Sequence, residues 1–103
     1  MRKARPYIYF TDPGHGWLRV KRAELENLGI AGYITPYSYA KGQWVYLEED
    51  LDMATFMKAK GWLVEVEGQW RVIKGFWDSG LIANKNCRHR YSTIRSYDRY
   101  YNR

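Results

Sequence analysis

The chain has a single cysteine, Cys87, among 103 residues. No internal disulfide can form, so packing alone must hold the fold, and a lone thiol fits a reducing compartment. Long apolar runs are also missing. Nothing is long enough to span a bilayer, and the basic residues 1–6 are not followed by the apolar stretch of a signal peptide. A soluble cytoplasmic protein is expected. Histidine is scarce, with two residues. A closed zinc site needs four ligands, and Cys87, His89 and His15 supply at most three. The nine glycines fit neither a phosphate-binding P-loop nor a dinucleotide fingerprint. Neither a metal nor a cofactor is therefore expected.

Acidic side chains are nearly absent from the carboxyl end. Positions 84–103 hold Lys85, Arg88, Arg90, Arg95, Arg99 and Arg103 against one acid, Asp98, whereas residues 1–83 are close to neutral. Tyr91, Tyr97, Tyr100 and Tyr101 are interleaved with these cations. Guanidinium groups bind phosphate oxygens and tyrosine rings stack on bases, so the mixture points to a polyanionic partner. Residues 1–83 are accordingly read as the core domain and 84–103 as a basic tail docked on it. If Ser92 caps a helix reaching about Asn102, Tyr91, Ile94, Tyr97 and Tyr101 share one face and Arg95, Arg99 and Arg103 the next. The candidate contacts to nucleic acid or a partner are Arg88, Arg90, Tyr91, Arg95, Tyr97, Arg99, Tyr100 and Arg103. The alternative is that the tyrosines dock the tail and the arginines form a solvated face.

Aromatic residues make up 17% of the chain and hydrophobic residues 46%, enough for one core in a domain this small. A strand pattern at residues 6–10 leads into a turn at 11–16, where Pro13-Gly14 is a type II signature, and the alternation at 17–20 suggests a second strand or the run-in to a helix. Residues 21–28 form a short helix ended by Gly29, with Glu24 and Glu26 facing water. Residues 33–39 suggest an edge strand bent at Pro36, and 44–47 a further strand. A second helix opens at the acidic run 48–52, capped by Asp50 or Asp52, and stops at Gly61. Residues 62–66 and 70–73 form a hairpin around Glu67-Gly68, and 75–86 read as loop. The class is α+β: an antiparallel sheet with two helices on one face and a basic Tyr/Arg-rich C-terminal tail.

Three further clusters bear on chemistry. His15, between Gly14 and Gly16, could act as an acid or base in a small hydrolase, but no partner nucleophile is recognisable. Glu48, Glu49, Asp50 and Asp52 could form an acidic patch for a basic partner, or could serve helix capping. Cys87 lies among Lys85, Arg88 and Arg90, surroundings that favour a reactive thiolate when the thiol is exposed.

The stretches His15-Gly16-Trp17-Leu18, Pro36-Tyr37-Ser38-Tyr39 and Tyr46-Leu47-Glu48-Glu49-Asp50 resemble a group of small bacteriophage- and plasmid-encoded proteins. The likeness covers roughly residues 8–60, and departs from the group's pattern at Leu51-Asp52-Met53. It implies an accessory protein of a mobile element working in the host cytoplasm, without catalytic residues to carry over. The leading expectation is non-enzymatic binding of nucleic acid, or of a host nucleoprotein complex, through the basic tyrosine-rich end. The alternatives are a protein inhibitor of a host-defence complex, of anti-CRISPR or anti-restriction type, and a hydrolase using His15.

Overall fold

The computed structural model describes residues 5–87 and 92–101. Arg88, Arg90, Tyr91 and Arg103 lie outside the described residues. The elements are β1 (Tyr7–Thr11), β2 (Gly16–Lys21), α1 (Arg22–Asn27), β3 (Tyr39–Lys41), β4 (Trp44–Glu48), α2 (Asp52–Ala59), β5 (Leu63–Val66), β6 (Gln69–Val72), β7 (Ile82–Asn86) and β8 (Asp98–Arg99), with 3-10 turns at Ala31–Tyr33 and Thr93–Ser96. Six strands form one sheet in the order β7-β1-β2-β4-β3-β8, and β5 and β6 make a separate hairpin. The main sheet is antiparallel except where β7 runs parallel to β1. No helix among the described residues is long and apolar enough to cross a membrane.

The α+β class follows from alternation in the central strands. Leu18 and Val20 of β2 and Val45 and Leu47 of β4 point to one face, where Leu25 of α1 and Met53, Phe56 and Met57 of α2 close the core. Burying such side chains stabilises by roughly 1.5–3 kcal/mol each. Rings extend this core: Tyr7, Phe56 and Trp62 meet edge to face at 5.3–5.7 Å, and Phe76 stacks on Trp62 at 5.0 Å. Both helices thus lie on one side of the sheet. Glu24 is not a water-facing residue, because it accepts the Tyr7 hydroxyl at 2.7 Å and Lys60 Nζ at 2.9 Å, tying α1 to β1 and the end of α2.

Several local expectations are corrected. Residues 33–38 are not a strand: a 3-10 turn and loop carry the chain through Pro36, and only Tyr39 of the expected stretch is extended, as the first residue of β3. Residues 82–86, expected as loop, form β7, so the expected boundary between 83 and 84 falls inside a strand. Gly14 is absent from the positive-φ glycines, so its turn is not type II; the Asp12 carboxylate accepts the amides of Gly14 and His15 instead. A Cβ on Gly14 would stand 2.8 Å from Arg95 Nη2, so close approach is what favours glycine there. Neither Asp50 nor Asp52 caps α2. Glu48 does, accepting the amides of Asp50, Leu51 and Asp52 at 2.6–2.8 Å. The hairpin turn has positive φ at both Glu67 and Gly68, the combination that matches strand twist.

Candidate nucleic-acid interface

The C-terminal segment is not a helix over the described residues 92–101. Its single 3-10 turn ends at Ser96, and β8 then pairs with β3. The segment crosses the sheet face opposite the helices. Ile94 is buried there against Trp17 and Tyr46, with Phe10, Tyr39, Trp44 and Tyr97 packed around them. Tertiary contacts override the helical spacing.

That placement separates the expected tail residues. Arg95 is held by Asp12, with Nε at 2.7 Å and Nη2 at 2.9 Å, and lies over the Trp17 ring at 5.5 Å. Its guanidinium is therefore matched by an internal carboxylate. Tyr100 is buried in the helix-side core; its hydroxyl donates to Ala31 O at 2.7 Å and its amide to Ser38 O at 2.8 Å. It is a structural anchor rather than a contact residue. Tyr97 is half-buried on Tyr46, ring centroids 5.1 Å apart, and Arg99 lies 4.6 Å over Tyr39. These two remain on the sheet face.

Residues the sequence reading passed over complete this face. Registers Phe10↔Lys85, Ile8↔Arg19, Arg19↔Tyr46, Lys21↔Trp44 and Tyr39↔Tyr46 put them on the same side as Trp17. Arg19 stands 4.2 Å over the Trp44 ring and 5.5 Å from Phe10. Lys85 is 5.8 Å from Phe10, Lys21 is 5.9 Å from Trp44, and Lys41 is 4.8 Å from Tyr97. Rings hold these cations by their negative faces without neutralising them. Among the described residues no carboxylate lies within ion-pair distance of Arg19, Lys21, Lys41, Lys85 or Arg99. Burial pushes the Tyr46 phenol above its usual range, so it stays neutral beside them. The legible signal was the alternation itself: Trp17, Arg19, Lys21 and Trp44, Tyr46 occupy the positions their strands leave outside the core.

The acidic run does not act as one patch. Asp52 is fully buried, accepting Thr35 N, Thr35 Oγ1 and Ser38 Oγ, and Glu48 is committed to the start of α2. Glu49 and Asp50 stay exposed. Glu49 accepts the Tyr9 hydroxyl at 3.0 Å and lies 3.6 Å from His15 Nδ1. Burial and this carboxylate push the Tyr9 phenol up to about 12. The described neighbours of the His15 ring are the Glu49 carboxylate and, at 6.1 Å, the Trp17 ring. Among the described residues no three His, Cys, Asp or Glu residues converge as metal ligands. No family model, curated protein or solved structure matches the chain.

Proposed function

We propose that the protein binds single-stranded nucleic acid, without catalysing a reaction, across the ring-and-cation face of its main sheet. The observation that carries this reading is the row Lys85, Arg19, Lys21 and Lys41, each within 6 Å of an aromatic ring and none paired with a described carboxylate. The row crosses β7 to β3, about 19 Å at ~4.8 Å per strand. Phosphates supply affinity through the cations, and unpaired bases stack on Trp44, Phe10 and Tyr97. Cations over half-buried rings suit a flexible single strand better than a duplex, whose bases are already stacked. This moves the expected contact from the tail alone to the sheet beneath it, with Tyr97 and Arg99 shared by both. A binder of this kind fits the mobile-element accessory role that the resemblance implies.

Fluorescence anisotropy with labelled random DNA and RNA decamers tests the reading. Four phosphate contacts give a slope near −3 for log K against log salt, from about −0.7 per contact on a single strand. Replacing Arg19, Lys21, Lys41 or Lys85 by Gln flattens the slope by a little under one each. No binding at low salt refutes the proposal.

One observation favours a second reading, contact with a host protein. Trp70 is 49% and Trp77 62% exposed, two large rings of the kind that anchor protein interfaces. Capture of a nuclease-resistant partner from host lysate, lost on Trp70→Ala or Trp77→Ala, would support it.

A further inference from the structure

Resting on the sheet-face reading, we infer that the cleft between this face and the C-terminal segment is a subsite for one nucleoside monophosphate unit, either free or at the end of a strand. The cleft measures about 630 Å³, within the usual range for a small-ligand site. Its lining combines aromatic rings with two cations. Phe10 and Tyr97 pack on either side of the buried Tyr46, with centroids 5.8 and 5.1 Å from it and planes tilted 60° and 52°, and each is left half-buried with ring surface for a base to stack on. Arg19 and Lys85 flank the Phe10 ring at 5.5 and 5.8 Å, so two cations border the same stretch of the lining and can meet a phosphate there. Asp and Glu are absent from the described lining, so nothing there opposes an anion. Ser92 Oγ in the same wall is buried and has no hydrogen-bond partner among the described residues. A buried hydroxyl without a partner costs free energy, and rotation of the Ser92 side chain into the cleft would let a phosphate or ribose oxygen satisfy it. A purely apolar ligand would leave Arg19, Lys85 and Ser92 unmatched. Inorganic phosphate would leave the Phe10 and Tyr97 rings unused.

Cys87 lines the cleft and is the chain's one cysteine, so its reaction with a disulfide reagent reports occupancy. The full chain is treated with 5,5′-dithiobis(2-nitrobenzoate) alone and with AMP, UMP, adenosine or inorganic phosphate. Decamer binding is measured in parallel, with and without a 5′-phosphate. AMP and UMP are expected to slow Cys87 modification, adenosine and phosphate to do so far less. Lys85→Gln should weaken AMP protection about tenfold and Tyr97→Leu about fivefold or more, while Lys58→Gln on α2 changes nothing. If the 5′-phosphorylated decamer binds more tightly, the unit is a strand end; if only free AMP protects, it is a free nucleotide and the sheet-face reading fails alone. If decamers bind but neither AMP nor UMP protects Cys87, the subsite is overturned and the sheet-face reading stands. Equal protection by inorganic phosphate, or unchanged protection in Tyr97→Leu, also overturns it.

Discussion

Asp12→Asn tests whether the C-terminal segment is built into the domain. Asp12 is 8% exposed, and its carboxylate accepts Gly14 N, His15 N, Ser92 N and the Nε and Nη2 of Arg95 at 2.7–3.0 Å. It joins the β1–β2 turn to the start of the 3-10 turn. Removing one partner from a buried pair costs about 3–5 kcal/mol. The Arg95 side chain is 25% exposed, so water recovers part of that, and Asn keeps one acceptor. The expected loss is about 2–3 kcal/mol, a fall in Tm of roughly 10–20 °C for a domain of this size. Thermal and urea unfolding followed by tryptophan fluorescence measure it. A double-mutant cycle with Arg95→Met should return a coupling above about 1 kcal/mol. The Arg95 guanidinium holds the Asp12 carboxyl well below the usual carboxylate range. A depressed folded-state pKa stabilises above the unfolded value near 3.9, and that contribution is lost as pH falls towards the folded value. The gap between wild type and Asp12→Asn should therefore hold from pH 5 to 8 and close only below about pH 4. Additive single effects, or a gap that closes between pH 5 and 7, would refute the clasp.

Asp52→Ala strips the acceptor from Thr35 N, Thr35 Oγ1 and Ser38 Oγ in a buried setting, and should cost about 2–4 kcal/mol in urea unfolding. Gly16→Ala drives a Cβ into the Tyr9 ring and hydroxyl, so it should destabilise by more than about 2 kcal/mol, with partial rescue by Tyr9→Val. In an alkaline titration at 295 nm, one tyrosine transition, that of Tyr9, should fall near pH 12 and be lost in Tyr9→Phe. Glu49→Gln should bring that transition down, though not to the value of a free phenol, because burial is its larger cause.

The legible parts of the fold are those with strong local signals. Gly29 and Gly61 end their helices with φ of 72° and 77°, and Glu67-Gly68 sets the hairpin. Alternation in 17–20 and 44–47 marked two central strands, and both helices were placed on one face. The failures have a common cause. β7 reads Ile-Ala-Asn-Lys-Asn, poor strand chemistry, and is a strand because β1 offers it a ladder. The spacing of Tyr91, Ile94, Tyr97 and Tyr101 suits a helix, yet Ile94 and Tyr100 are drawn to opposite sides of the sheet, which no single helix of that length allows.

Composition and order alone determined that one small α+β domain would form without disulfides, carrying surplus positive charge near its carboxyl end among aromatic rings. Those are local or additive properties. Tertiary structure decided which charges remain available. Arg95 lies 83 positions from Asp12 in sequence yet is neutralised by it, while Arg19 and Lys85 stand together over one ring because β1 separates their strands. Charge pairing depends on distances of a few ångströms between remote segments, and strand order and register set those distances.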